Sequence, residues 1–474
     1  MSNEIKNRAV TNDQLSDASS KELEQFGYKQ ELKRALPLPF LVIYGWAFVC
    51  LLTGFGTYGA VAEASHGMPA GAFLFASIGM LFTGLSYVFM SKAFPISGSV
   101  YQYVSNSFSN RHLGFLSGWS ILLDYMLVPM INELLACIYL QIFFPEIPTW
   151  VILTVSIAIV TIVNHLGIEV AAWFNNIIVI IEVIFIVAII FVMFRYVANG
   201  GGAGTVMSIK PFFNPDELGL QGVGVGVIFA GTAITIASYS GFDAVTTMAE
   251  EAKDSHSIGK AVMIVVISIS VFYMIATYIM TLVWPDGWRE FTTPDDAPYE
   301  VFVIAGGQIA GSIFSAMYIV ATFASAIAAQ ASASRVIYNM GRDGILPKKV
   351  FGYVHPKRKT PTAGILLIGA VSFTILLIPL TTSFLLLSYG ALIGFAMVNL
   401  SVILYYWIKK KERGTSAVIK YLIVPVLGAA VCITSFISIS AIGKIIGTAW
   451  LLLGFIILAI STRGFKDKPA ELNL

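Results

Sequence analysis

The chain has 474 residues, of which 57% are hydrophobic and only 12% charged, and its formal net charge is +2. Ordinary soluble domains are roughly 45–50% apolar and about 25% charged, so this composition excludes a soluble enzyme, a nucleic-acid binder and a disordered chain. The apolar positions number about 270, and at roughly 20 per transmembrane helix they match an all-α polytopic membrane protein of about twelve spans.

Residues 1–36 are polar, with six basic and six acidic side chains and no apolar stretch of the kind a signal peptide carries. They are expected to form a cytoplasmic N-terminal tail, largely disordered and turning helical near Lys29–Arg34. Apolar runs between polar breaks then predict spans at 37–62, 69–93, 113–141, 148–166, 169–197, 222–249, 258–284, 301–334, 362–380, 383–408, 420–440 and 445–461. Several are longer than a bilayer needs, so tilt or extension beyond it is expected.

Lysine and arginine set the orientation. With the N-terminus inside, 25 of the 29 basic residues fall on the cytoplasmic side, leaving Arg195, Lys210, Arg289 and Lys444 outside. Both termini are therefore expected in the cytoplasm of a cell-membrane protein. The loop after the seventh span holds Asp286, Glu290, Asp295, Asp296 and Glu300. It is either a solvated loop or an acidic surface that attracts cationic substrate.

No Lys/Arg-rich paddle, potassium-filter motif or Walker motif is present, which argues against a voltage sensor, a potassium channel and an ATP-driven pump. Cys50, Cys137 and Cys432 lie inside apolar runs, and the five histidines are scattered. Neither set has metal-ligand spacing, and no cofactor is expected.

Glycine totals 41, and two clusters fall within spans. The first span contains Thr53-Gly54-Phe55-Gly56-Thr57-Tyr58-Gly59. The sixth contains Ser238-Tyr239-Ser240-Gly241-Phe242-Asp243. Glycine lowers the cost of unwinding a helix, and unwound backbone at membrane depth must line a cavity or be buried in protein. Breaks in corresponding helices of two five-helix halves are the pattern of a transporter built on inverted repeats. The predicted organisation is a tail at 1–36, a first half at 37–200, a second half at 221–408, and two further helices with a short C-terminus at 409–474. Residues 53–57 and 239–243 are the expected substrate site. Close helix packing is the other reading of each glycine cluster.

Three further stretches carry a resemblance. They are Gly241-Phe242-Asp243-Ala244-Val245-Thr246-Thr247-Met248-Ala249-Glu250-Glu251, Arg335-Val336-Ile337-Tyr338 with Met340-Gly341-Arg342-Asp343-Gly344, and Pro95 to Gly98. The first resembles the sixth-helix signature of the amino acid–polyamine–organocation permeases and the second their cytoplasmic signature after helix 8; the third, ahead of the loop to helix 3, is similar to that family too. Within that family, Gly118-Trp119-Ser120, Leu122-Leu123-Asp124-Tyr125, Pro129-Met130-Ile131-Asn132 and Phe351-Gly352-Tyr353-Val354-His355-Pro356-Lys357 are similar to bacterial putrescine importers. The resemblance runs from about residue 30 to 465. It implies a LeuT-type fold of ten core helices in two inverted five-helix repeats plus two peripheral helices, and ion-coupled solute transport. Gly56 stands where some polyamine importers carry an acidic residue. Gly-Phe-Gly is closer to the break of amino-acid permeases, whose amides hold an α-carboxylate, so an amino acid stays beside a diamine as an expected substrate.

Ionisable groups inside spans are functional candidates. Asp243 follows the second break, where it could pair with a substrate ammonium or cap the following half-helix. Asp124 and Glu133 are nine residues apart in the third span, which places them on opposite faces of an ideal helix. Asp124 and Asn132 are expected to be structural or gating. Glu133 is a weaker candidate for gating or for a cationic substrate. Glu182 lies among isoleucines and valines, where some proton-coupled family members place a lysine, and it could bind and release a proton. It could equally be a buried, hydrogen-bonded glutamate. Thr322 and Ser325 share a helix face and could ligate sodium or bond their own backbone. Glu250 and Glu251 are expected to pair with Lys253 or to make a gate contact with Arg342. Tyr239 could give cation–π contact to an ammonium or, like Phe55 and Phe242, simply pack.

The expected function is import of a small amine-bearing solute, an amino acid or a polyamine such as putrescine. The expected mode is alternating access, coupled to protons or, less favoured, to sodium. An exchanger of amino acid for amine is the alternative. No clustered nucleophile and base mark an enzyme. The expected partners are the substrate, the coupling ion and the lipid bilayer, with no nucleic acid; oligomeric state is left open.

Overall fold

The computed structural model describes residues 29–219, 224–291 and 293–462, together with Ser19 and residues 23–25. The rest of the expected tail, the segment from 463 onward and the predicted start of the sixth span at 222 lie outside the described residues. Among the described residues the regular elements are helices, joined by one isolated bridge between Leu36 and Ala252. The first span is broken into α1 (Leu38–Val49) and α2 (Tyr58–Ala64). It is followed by α3 (Pro69–Ala93), α4 (Val100–Phe108), α5 (Arg111–Phe143), α6 (Thr149–Leu166) and α7 (Ile168–Ala198). Next, α8 (Gly226–Ala237) leads into a 3-10 segment, Phe242–Met248, and then α9 (Ser257–Val283) and α10 (Ala297–Arg342). The chain closes with α11 (Thr362–Ser372), α12 (Leu380–Val402), α13 (Val424–Ser438) and α14 (Ala441–Ser461).

Local chemistry sets the ends of these helices. Proline occupies the first turn of α1, α3 and α10, where its missing N–H costs no intrahelical bond. Asn110 caps α5, its side chain accepting the N–H groups of His112 and Leu113 at 3.0 and 3.1 Å. Gly167, with φ of 128°, turns the chain from α6 into α7 with no intervening loop.

Eleven helices among the described residues are long and apolar enough to cross a membrane. The ninth predicted span is the exception to the expected twelve: Thr362–Leu377 is an apolar helix below that length. Its last turns, Phe373–Leu377, are 3-10, a geometry that rises about 2.0 Å per residue against about 1.5 Å for α. Pro379 then fixes the entry to α12. α10 is longer than the predicted 301–334 and is interrupted at Gly307, whose φ of 74° and ψ of −178° are not helical. Arg335–Arg342, expected as a segment after the helix, forms its last two turns, where Arg335 and Asn339 are buried and hydrogen-bonded. Val100–Phe108, expected as loop, is a helix with most of its side chains buried.

Residues 29–36 are not helical as expected. Ala35 and Leu36 donate to the Glu251 carbonyl at 2.9 and 3.0 Å, and Lys253 donates to the Leu36 carbonyl at 2.9 Å. Arg34 reaches the carbonyls of Ala249 and Ala252. These partners satisfy the strap's backbone from outside, and Pro37 disfavours helix at the residue before it. The strap, the end of α10 and Lys92, Lys409, Lys410 and Lys420 share one end of the bundle, called here the basic end.

The membrane face is legible on α7. Ile177, Ile180, Ile181, Ile184, Val187 and Phe191 repeat at helical spacing and are exposed. A stripe of large apolar side chains this long is a lipid-facing surface, and the chain is a multi-pass membrane protein. The opposite faces pack inward. α10 lies along α5 and α7, α9 along α3 and α1, and the 3-10 segment against α1 and α9.

Candidate functional site

The first break lies slightly earlier than the glycine cluster. Cys50 leaves α1 with φ of 59° and ψ of 99°, and Leu51 and Leu52 form a turn. Thr53–Gly56 is one turn of regular helix. Its glycines admit bulky neighbours. A Cβ at Gly54 would run into the Tyr273 ring, and one at Gly56 would lie 2.7 Å from the Tyr318 hydroxyl. Close packing is thus what these two glycines provide, and the unwound residues are Cys50–Leu52.

Unwinding leaves orphan backbone groups at a depth without water. The Leu52 N–H donates to Glu182 Oε1 at 2.9 Å. The Phe48 carbonyl accepts the Ser325 hydroxyl at 2.7 Å, and Ser325 Oγ in turn accepts Asn132 Nδ2 at 3.0 Å. Glu182 is fully buried, and its Oε2 has no hydrogen-bond partner.

The second break is the turn Ser238–Gly241 after α8. Gly241 has φ of 101°, and a side chain there would meet the Phe48 ring, so the residue must be glycine on both counts. The two breaks touch. The Tyr273 hydroxyl lies 3.4 Å from the Cys50 carbonyl and 3.3 Å from the Ser238 carbonyl, and Thr57 Oγ1 lies 3.3 Å from Ser238 Oγ.

Two buried carboxylates flank this junction. Ser240 Oγ lies 2.6 Å from both oxygens of Asp124. Asp243 Oδ2 accepts the hydroxyls of Tyr125 at 2.6 Å and Tyr87 at 3.0 Å, while Oδ1 has no partner. Asp243 is therefore held by two tyrosines and does not cap the 3-10 segment. Asp124, expected to be structural or gating, is the carboxylate that reaches the break itself. A carboxylate oxygen buried without a donor is costly until a proton or a cation satisfies it.

Most of the other predicted residues have their polar groups taken by protein partners or are packed. The Tyr239 hydroxyl bonds Ser77 at 2.7 Å and Ser270 at 3.2 Å, and its ring packs edge-on to Tyr273. Phe242 packs on Tyr87 and Phe395, and Phe55 on Phe302. Thr322 bonds a carbonyl of its own helix, whereas the Thr53 hydroxyl donates across the first break to the Val49 carbonyl at 3.1 Å. Glu133 is 1% exposed, and neither of its oxygens has a partner. Its neighbour Asn132 faces Ser325, whereas Asp124 faces Ser240. Tyr87, Tyr125, Tyr273 and Tyr318 are the residues that sequence reasoning missed. The signal available was a set of tyrosines inside spans, whose hydroxyls must find partners when buried.

The basic end is closed by ion pairs. Arg335 forms a two-pronged, fully buried pair with Glu251. Arg342 pairs with Glu250 at 3.1 Å, and Ser97 donates to the same carboxylate at 2.8 Å. The Tyr338 hydroxyl ties Glu31 of the strap at 2.6 Å. Among the described residues no group of His, Cys, Asp and Glu could hold a metal ion.

Known proteins resemble this chain over most of its length. The family model described as amino acid permease matches residues 40–462. The low-affinity putrescine importer PlaP of Escherichia coli K12 is 36% identical over 442 residues, covering 92% of this chain and 95% of that protein. The branched-chain amino acid permease BcaP of Bacillus subtilis is 26% identical, covering 94% of this chain and 96% of its own. Human cationic amino acid transporter 4 is 27% identical over 81% of this chain and 61% of its own.

Proposed function

This chain belongs to the amino acid permease family, and from that premise we propose that it imports a small amine-bearing solute, with a diamine such as putrescine preferred, by proton-coupled alternating access. As a permease it moves solutes and is not an enzyme. The observation that carries the finer reading is the set of buried acids at the two breaks. Asp124 and Asp243 offer negative charge to an ammonium, and Asp243 Oδ1 is unpartnered. The Leu52 amide, a donor at the first break that a substrate carboxylate could use, is already taken by Glu182. This favours an amine without an α-carboxylate, in line with the name of the 36% identical relative, a putrescine importer.

Glu182 carries the coupling proton. Its Oε1 caps the broken helix while Oε2 is free to take a proton. Sodium is less well supported, because Ser325 already fills the Phe48 carbonyl and Thr322 bonds its own helix. The two halves, 37–200 and 221–408, would rock about the junction, with opening of the basic end requiring release of Glu250 from Arg342. The positive-inside bias supports a cytoplasmic location for that end and for both termini of a cell-membrane protein.

The test is uptake into proteoliposomes under an imposed proton or sodium gradient, comparing putrescine, arginine, γ-aminobutyrate and a neutral amino acid. Accumulation of putrescine driven by an acidic exterior is the expected result. Accumulation driven by sodium alone, or of neutral amino acids alone, would overturn it.

A further inference from the structure

A second site lies at the basic end, away from the breaks. A cavity of about 490 Å³ opens between the end of α3, a π-helical turn after α12 (Ile403–Lys409) and another before α13 (Ile419–Ile423). π turns are rare and recur at functional sites. These two bring Tyr406 and Tyr421 into a face-to-face stack, with ring centroids 4.2 Å apart and planes within 5°. The Tyr406 hydroxyl bonds the Phe89 carbonyl at 3.1 Å and so pins the stack to α3.

The charge of the cavity decides its ligand. Lys92, Lys410 and Lys420 line it against a single acid, Glu412. None of the three lysines has an ion-pair partner among the described residues. Lys410 instead lies over the Tyr405 ring at 4.8 Å. The hydroxyls of Tyr405 and Tyr421 also have no partner among the described residues. Three ammonium groups and two free phenols form a donor set for phosphate oxygens. An amine substrate would be repelled.

The mouth of the cavity decides between a dissolved anion and a lipid. Ile419, Ile423 and Leu427 repeat every four residues on the helix leading from it, and all three are exposed on the membrane face. A dissolved phosphate would leave that stripe unused, whereas a phospholipid lays acyl chain along it. Basic pockets between transmembrane helices at an anionic leaflet hold lipid head groups by this chemistry. We propose that the cavity lined by Lys92, Lys410, Lys420, Tyr405 and Tyr421 binds the phosphate head group of an anionic phospholipid, with its chains along Ile419, Ile423 and Leu427.

The test is native mass spectrometry of the full chain in detergent, titrated with phosphatidylglycerol. The variant Lys92→Gln/Lys410→Gln/Lys420→Gln should weaken binding roughly 100-fold. The charge-matched control Lys348→Gln/Lys349→Gln/Lys357→Gln should change it by less than about 3-fold, and the arginine triple at the cavity positions should restore it. Should the glutamine triple lose its monodisperse profile, the single exposed substitution Lys420→Glu carries the same test. Unchanged phosphatidylglycerol binding in the cavity variants, or equal loss in the control, would overturn the proposal. So would displacement of the lipid by millimolar inorganic phosphate, which would assign the site to a dissolved anion, or equal affinity for phosphatidylethanolamine, which would remove the charge argument.

Discussion

Glu182 Oε1 accepts the main-chain N–H of Leu52 at 2.9 Å, which places a carboxylate from α7 on the exposed amide of the broken first helix. A glutamine there can still accept that N–H through its own oxygen but cannot exchange a proton. Glu182→Gln is therefore expected to keep the fold and substrate counterflow while reducing proton-driven accumulation to the level reached without a pH gradient. Putrescine uptake in proteoliposomes, with and without a pH gradient, checks this. A variant that still accumulates substrate against its gradient would remove Glu182 from coupling.

Asp243 is held by two phenols on one oxygen, and the other oxygen is bare. Asp243→Asn should abolish uptake of a diamine while leaving membrane insertion intact, since the bare oxygen is the group offered to an ammonium. Tyr125→Phe removes the shorter of the two hydrogen bonds. A bond to a charged group is worth about 1.5–3 kcal/mol, so an increase in KM of roughly 10-fold or more is expected with little change in expression. Scintillation proximity binding of labelled putrescine separates the two effects. Equal binding by wild type and Asp243→Asn would place the amine elsewhere.

Most of the spans were legible because apolar runs are a local signal. The order of α1, α3, α5, α6 and α7, and the two broken helices, follow from them to within a few residues. What escaped the sequence depended on partners distant in the chain. The first break sits at Cys50–Leu52 because Glu182, 130 residues away, and Ser325, 277 residues from its partner Phe48, supply the missing hydrogen bonds there. The strap at residues 29–36 reads as helix in isolation and is drawn extended by the carbonyls of 249–252. The tyrosines around Asp243 belong to two other helices, α3 and α5, and no spacing in one sequence announces that they converge.

At the basic end, Arg335 and Glu251 are 2% and 1% exposed and paired by two hydrogen bonds. Removing one member of such a pair leaves an uncompensated buried charge, typically at a cost of about 3–5 kcal/mol. Arg335→Ala should therefore lower the thermal midpoint in detergent sharply. The double variant Arg335→Ala/Glu251→Ala should recover part of the loss. Arg342→Ala acts on a pair nearer the surface, so it should destabilise less and shift the protein toward opening at this end. Cysteine-accessibility labelling at Ser97 in a Ser97→Cys background reads that opening, and unchanged labelling in Arg342→Ala would show that the Glu250–Arg342 pair is not a gate.

Gly54 tests whether the first glycine cluster is a packing device or a hinge. Any side chain at this position meets the ring of Tyr273, whose hydroxyl reaches both helix breaks. Overpacking a fitted core costs about 1–3 kcal/mol, so Gly54→Ala should lower stability by that amount. If the contact with Tyr273 is the cause, the loss must depend on that ring. In a double-mutant cycle, Gly54→Ala should cost distinctly less in a Tyr273→Ala background, a coupling outside the roughly 0.3–0.5 kcal/mol expected of independent sites. A hinge would behave differently, because alanine would stiffen the segment whatever stands at 273. Stability unchanged by Gly54→Ala in both backgrounds, with transport slowed, would return the glycine to the role of a hinge and leave the turn at Cys50–Leu52 as only part of the moving segment.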